Sequence, residues 1–201
     1  MEEVPLQEPS GFSTILFDRI RELLERHQTR LEDIELFAAA SGPGGFTGVR
    51  IGLAAMKGLG EVLGKPVAAV SSLAALAEIG THPLRATVID ARRGEVFGAL
   101  YQNGLARIPE CVLPFPRLLD LLASRTGCEP FEWVSADPEV FADALRGTPF
   151  ETFPNTRAPR SLASAVARVA LRRAANRESM DPALIEANYV RRSDAELLWK
   201  G

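Results

Sequence analysis

Apolar positions along this 201-residue chain switch between two periods, and the switches mark its elements. Over residues 13–27, Ile15, Leu16, Ile20, Leu23 and Leu24 recur at helical spacing behind Ser13, a residue type suited to an N-cap. Residues 34–41 form a short, nearly continuous apolar run ending in Ser41, as a buried strand does. A glycine-rich turn over 42–48 leads into a helix predicted for 49–63. That helix stops at Gly64, where a C-cap glycine stands. Residues 66–71 read as a second strand and 72–79 as a short helix, with the Ser71-Ser72 pair as its N-cap. Strand, loop, helix and strand in this order predict an α/β layer with parallel strands.

The pattern then changes. Residues 86–90 and 95–101 are two strands joined by Ala91, Arg92, Arg93 and Gly94, which predicts a tight antiparallel hairpin. A further strand around 108–113 ends at the Pro114-Phe115-Pro116 break, with a helix following over 117–124. Residues 131–135 give one more strand and 138–145 a helix. After a proline-punctuated loop, 161–177 is an alanine-rich helix. The boundary falls near Thr81, His82 and Pro83, dividing the chain into α/β halves at 1–82 and 83–201.

Composition narrows the class. A chain of this length removes about 70% of its unfolded surface from water, enough for a core without staples. Its 46% hydrophobic and 24% charged content is that of a globular chain. No apolar run reaches the ~20 residues of a membrane span, and Met1-Glu2-Glu3-Val4-Pro5 is not a secretory start. Together with the two cysteines, Cys111 and Cys128, in no C-x-x-C arrangement, this predicts a cytoplasmic protein. A net charge of −3 argues against gripping nucleic acid mainly through charge. Lys57, Lys65 and Lys200 are the only lysines among 23 basic residues, leaving 20 arginines. Such a bias suits phosphate or carboxylate pairing, and genome composition explains it equally.

Candidate chemistry centres on the glycine turn. A strand that delivers glycine backbone to a helix N-terminus can receive an anion on free N–H groups. Gly42, Gly44, Gly45, Thr47 and Gly48, with Asp90 at the end of an apolar strand, form a candidate anion or nucleotide loop. Neither common version fits. No Lys-Ser or Lys-Thr pair follows the glycines, and Thr47 stands where a dinucleotide fingerprint needs its third glycine. A tight turn with close helix packing explains the glycines as well, and Asp90 suits a turn equally. His27 and His82 lie apart, so the sequence assembles no catalytic set and no metal site. Arg168, Arg172, Arg173 and Arg177 mark a solvated helix face or a contact to RNA phosphates.

Two helices carry more apolar surface than one sheet can cover. On 49–63, Ile51, Ala55, Leu59 and Val62 lie on one side and Val49, Leu53, Met56 and Leu63 on the other. A helix on its own sheet needs a stripe of roughly 100°. Gly48, Gly52, Ala55 and Leu59 are spaced so that another helix can approach closely. On the first helix, Phe17 and Leu24 widen the stripe of Leu16, Ile20 and Leu23. Leu16, Phe17, Ile20, Leu24, Ile51, Gly52, Ala55, Leu59 and Val62 are therefore candidate partner-binding residues, the alternative being a deeper core.

The block Ser41-Gly42-Pro43-Gly44-Gly45-Phe46-Thr47-Gly48-Val49-Arg50-Ile51-Gly52-Leu53-Ala54, running on through Lys57-Gly58-Leu59 to Val70-Ser71-Ser72-Leu73, resembles the signature of the TsaB (YeaZ) family. Asp90-Ala91-Arg92-Arg93-Gly94-Glu95-Val96-Phe97 and Asn188-Tyr189-Val190-Arg191 resemble its later segments. The resemblance implies an α/β fold of the actin/Hsp70/sugar-kinase (ASKHA) type with two similar halves. It implies a noncatalytic subunit, without cofactor or metal, that supports the threonylcarbamoyl modification of the adenosine beside the tRNA anticodon. The implied partners are TsaD, bound directly through the helices at 13–27 and 49–63, and TsaE within the complex, with TsaC supplying threonylcarbamoyl-adenylate. tRNA is reached through the complex, and self-association through the same surface is expected when the chain is alone. Members of the family open with a strand and hairpin that this chain does not match, so the first half is expected to lack its opening strands. The alternative, from the glycine turn and Asp90, is a nucleotide-dependent phosphotransferase or ATPase. Peptidase activity finds neither ligands nor a triad in this sequence.

Overall fold

The computed structural model describes residues 2–4, 12–127, 129–178 and 180–190. Cys128 and Arg191 lie outside the described residues. Helix α1 spans Phe12–Arg26. It starts one residue before Ser13, so Ser13 belongs to the first turn and is not its cap. A 3-10 turn at Leu31–Asp33 leads to β1, Phe37–Gly42. The expected strand start at residue 34 moves to Phe37, where pairing with the next strand begins. Helix α2 runs Phe46–Leu63, three residues longer than its pattern predicts. Gly64 closes it in the left-handed conformation at φ +63°, its N–H donating to the Gly60 carbonyl.

Strand β2, Val67–Ser71, pairs parallel to β1 with Phe37 opposite Val67 and Ala40 opposite Val70. Two helices cover the faces of this pair. Gly60 of α2 lies so close to Val67 that an added Cβ would stand 2.2 Å from its Cγ2. Ala68 and Val70, alternating with Val67 along the strand, pack instead on Ala165, Val166, Val169 and Ala170. Those residues belong to α6, Ala163–Ala175, so the chain crosses back onto β1 and β2 near its end. Among the described residues the other edge of β1 carries no strand.

Ser71 caps α3, Ser72–Ala77, its hydroxyl accepting from the N–H groups of Leu73 and Ala74 at 3.1 and 3.3 Å. A five-stranded mixed sheet follows, in the order β5-β4-β3-β6-β7. Its strands are β3 Leu84–Arg92, β4 Glu95–Gln102, β5 Leu105–Pro114, β6 Glu132–Ser135 and β7 Asn155–Arg157. The strands β3 and β4 extend past their predicted ends, leaving Arg93 (φ +57°) and Gly94 (φ +76°) as the turn. The Asn103-Gly104 turn, with φ +51° and +83°, has the doubly positive geometry that matches the right-handed strand twist. Strand β7 and a 3-10 turn at Pro182–Leu184 carry no periodicity and were not expected. Pro109 and Pro114 sit on the edge strand β5, where missing N–H donors discourage further pairing.

The main core lies on one face of this sheet. There α4, Phe115–Thr126, and α5, Glu139–Leu145, lay Phe115, Leu118, Leu122, Phe141 and Leu145 against Leu84, Val88, Phe131 and Trp133. Burying each such side chain contributes about 1.5–3 kcal/mol. On the other face, Leu73 and Leu76 of α3 meet Ala99, Tyr101 and Val134, so α3 joins the two sheets. The connection before β3 is pinned. Buried Glu132 accepts the N–H groups of Thr81 and His82 at 2.6 and 2.7 Å and the Thr156 hydroxyl. Burial pushes the Glu132 carboxyl up, and the bonds from Thr156, His82 and Thr81, with Arg85 nearby, outweigh that and hold it below its ordinary value.

Candidate functional site

Two surfaces gather the residues singled out from the sequence. The first is a cleft of about 1170 Å³ between the glycine turn, the β3–β4 hairpin, the start of α5 and residues 187–190. Gly42, Gly44, Gly45 and Asp90 line it. Thr47 and Gly48 are absent from its lining and stand exposed in the first turn of α2. Gly42 has φ +99°, and an added Cβ would meet the Asn188 carbonyl at 3.3 Å, so this position takes glycine for two reasons. The Asn188 N–H donates to the Ser41 carbonyl at 2.8 Å, which seats the 187–190 segment beside the turn. Asp90 accepts the Arg92 N–H at 2.8 Å and faces the Arg92 guanidinium at 3.2 Å, so its carboxylate organises the hairpin end.

Sequence reasoning did not single out three residues on this wall. Phe46 and Tyr189 are 45% and 53% exposed, with ring centroids 5.8 Å apart. The Arg50 guanidinium lies 3.7 Å from the Phe46 centroid, and its Nε donates to the Tyr189 hydroxyl at 3.0 Å. No local signal joins them, because the fold brings Tyr189 onto α2 from across the chain.

A carboxylate junction lies behind the cleft. Glu110 of β5 accepts the Tyr101 hydroxyl at 2.9 Å, the Ser71 hydroxyl and the Asn188 side-chain amide. Burial, then the Glu110 charge, pushes the Tyr101 hydroxyl far above its ordinary value, so Tyr101 is a donor throughout the usual pH range. His27 meets Glu2, and His82 accepts from the Leu84 N–H, so the histidines do not converge. Among the described residues no group of three or more His, Cys, Asp and Glu is arranged to hold a metal ion. Arg172 pairs with Glu78, whose hydrogen bond raises its pKa, and Arg173 pairs with Glu178. That fits a structural helix face better than a free basic patch.

The second surface is the α1–α2 pair. None of the described side chains of α1 is buried: Leu16, Ile20 and Leu24 are half-covered and Phe17 is 50% exposed. On α2 the buried residues are Leu53 and Gly60. Ile51, Gly52, Ala55 and Leu59 are half-buried, and Val62 is 84% exposed. The side bearing Leu53 meets the core, and the side bearing Ile51 and Val62 turns away from it. A Cβ added at Gly52 would meet nothing within 4 Å, so this small-residue stripe faces open space. Among the described residues no helix is long and apolar enough to cross a membrane.

The chain matches known proteins along most of its length. Residues 4–129 match the family described as TsaD, tRNA N6-adenosine threonylcarbamoyltransferase. The chain is similar to the tRNA threonylcarbamoyladenosine biosynthesis protein TsaB of Bacillus subtilis, 47% identical over 78 residues, or 37% of this chain and 34% of that protein. It is similar to TsaB of Escherichia coli, 40% identical over 99 residues, or 47% and 43% of the two chains. The matched stretch thus spans a third to under a half of these curated relatives. The fold is similar to the solved structure of YeaZ from Pseudomonas aeruginosa, with a TM-score of 0.72 and 27% identity over 90% of this chain and 85% of that one. A second structure from that organism, described as similar to peptidase YeaZ, gives a TM-score of 0.74 and 27% identity over 91% and 86%. Sequence and fold together make the chain a member of the family described as TsaD, and its matches to TsaB and YeaZ place it with the TsaB (YeaZ) proteins.

Proposed function

We propose that the chain serves the biosynthesis of threonylcarbamoyladenosine in tRNA as a noncatalytic scaffold that binds and activates TsaD in the cytoplasm. The observation that carries this reading is the α1–α2 surface: a 15-residue helix with no buried side chain among those described, beside a helix whose small-residue stripe faces open space. Apolar helix faces of this kind gain free energy by burial against another helix pair. TsaE joins the same assembly, tRNA is reached through it, and the chain self-associates through the surface when alone. We place the fold in the ASKHA type, with halves meeting near Thr81.

Phe17→Glu and Ala55→Glu test the surface, since both positions are at least partly open to solvent and neither change needs to disturb the fold. Loss of co-elution with TsaD, with thermal unfolding unchanged, is expected; retained co-elution refutes the surface. Reconstitution of tRNA modification by TsaD, TsaE and TsaC, with and without the chain, tests the role. A second reading, nucleotide hydrolysis or phosphoryl transfer, rests on Asp90 and the glycine turn lining one cleft. ATP turnover by the isolated chain, lost in Asp90→Ala, would favour it.

A further inference from the structure

Residues 180–190 lie outside any helix or strand apart from the Pro182–Leu184 turn, and they follow one side of α2 in the reverse direction. The Pro182 ring stands against Gly60, 3.1 Å from the position of an added Cβ. The Ala183 carbonyl accepts the Lys57 ammonium at 3.1 Å. Farther along, the Tyr189 hydroxyl accepts the Arg50 Nε–H at 3.0 Å, and its ring lies 5.8 Å from that of Phe46. At about 100° per residue, Gly60, Lys57, Arg50 and Phe46 fall within about 80° of one another on the helix circumference. Ile51, Ala55, Leu59 and Val62 fall within about 80° on the opposite side. The segment thus grips the side of α2 that faces away from the surface proposed for TsaD. Both of its ends are tied down. The Met180 carbonyl accepts the Val67 N–H at 2.9 Å, and the Asn188 N–H donates to the Ser41 carbonyl at 2.8 Å. The Asn188 side-chain amide donates to Glu110 of β5.

Helix α2 needs such a grip. Of its 18 residues, Leu53 and Gly60 are the buried ones, and α1 beside it adds no buried side chain among those described. Val49, Met56 and Leu63 on one side and Ile51, Ala55 and Leu59 on the other are all half-buried. Apolar burial is non-directional, so it changes little when such a helix rolls slightly about its axis. Hydrogen bonds and the Phe46–Tyr189 ring pair are directional and distinguish one roll angle from the next. We infer that residues 182–189 are a clamp that fixes the roll of α2, with Asn188 as its positioning residue, tying the pose of the α1–α2 surface to Glu110 in the second sheet. The consequence for TsaD rests on the scaffold reading, whereas the clamp is a property of the chain alone.

The double variant Asn188→Ala/Tyr189→Ala, made in the full chain, removes two side-chain hydrogen bonds of the clamp and leaves Ile51, Ala55, Leu59 and Val62 untouched. Each bond is worth about two- to tenfold in the equilibrium between held and released helix. Hydrogen exchange of the chain alone should therefore run about four- to 100-fold faster at the α2 amides. Amides of β3 and β6, at the centre of the second sheet, should exchange as in the parent. Tyr189→Phe keeps the ring and loses one bond, so its α2 exchange should rise about two- to tenfold. Calorimetric affinity for TsaD should fall at least ~fivefold in the double variant, because the held fraction is the one that binds. Unchanged α2 exchange overturns the clamp. An equal rise in β3 and β6 overturns it too, since the two residues would then support the fold as a whole. Parental affinity for TsaD in a chain whose α2 exchange has risen overturns the link from clamp to surface. A parent chain that does not bind TsaD refutes the scaffold reading, and exchange then decides the clamp. Should the double variant not fold, Tyr189→Phe decides by the same readouts.

Discussion

Replacing Gly52 by alanine separates what α2 needs for its own stability from what it offers a partner. Glycine in a helix interior costs about 1 kcal/mol relative to alanine, and an added Cβ at Gly52 meets nothing within 4 Å. The isolated chain should therefore gain about 1 kcal/mol, or roughly 2–4 °C in Tm for a chain of this size. In the complex the same methyl enters a helix–helix contact built on close approach. Overpacking there costs about 1–3 kcal/mol, a loss of roughly five- to 150-fold in affinity for TsaD. Two controls lie on the same helix. Gly58 also faces open space, so Gly58→Ala should raise Tm equally and controls for helix propensity alone. Gly60 has Val67 Cγ2 at 2.2 Å, the Lys65 carbonyl at 3.0 Å and Pro182 Cγ at 3.1 Å from its added Cβ. Gly60→Ala should thus lower Tm, overpacking outweighing propensity. Thermal unfolding and calorimetric titration with TsaD measure both quantities. A Gly52→Ala chain that is stabilised yet binds TsaD at parental affinity refutes the helix-crossing role of this stripe. A destabilised one refutes the open space around it.

Glu110→Ala removes the acceptor of three donors and strands the buried Tyr101 hydroxyl, which should cost about 1–3 kcal/mol and be read as a lowered denaturant midpoint. An unchanged midpoint would mean the junction contributes nothing. Glu132 has a depressed pKa, so the stability it contributes is present above the unfolded carboxylate value of about 4.3 and is lost as pH falls through its lower folded value. Denaturant titrations between neutral and acid pH should show a steeper acid loss for the parent than for Glu132→Gln. Equal slopes would contradict the assignment. The Thr87 hydroxyl is buried with no partner among the described residues. Thr87→Val should be neutral or stabilising by up to about 1 kcal/mol, and a clear loss of Tm would reveal a bond to that hydroxyl.

Local chemistry decided much of the fold. The αL stop at Gly64, the Ser71 cap and the Arg93-Gly94 hairpin each depend on one or two residues whose backbone preferences leave few alternatives, and the α/β order follows from the apolar periods around them. The Asn103-Gly104 pair is an equally local hairpin signal. The start of β5 is obscured because Leu105, Ala106 and Arg107 are all exposed and show no alternation. The excess apolar surface of α1 and α2 was also legible, since it needs only helical geometry.

Which side of α2 meets the sheet was not legible, because both sides are apolar; the fit of Gly60 against Val67 decides it. The cleft wall was equally hidden. Arg50 meets Tyr189 across 139 positions, and Glu110 collects donors 39 and 78 positions away. Periodicity reports which side of an element avoids water, and it carries no information about which polar groups will meet once those sides are buried. The sequence by itself therefore determined most of the elements, the Gly64 and Ser71 caps and the family. Only the tertiary structure decided the aromatic–arginine wall and the Glu110 junction, because long-range hydrogen bonds and ring contacts leave no spacing in the chain.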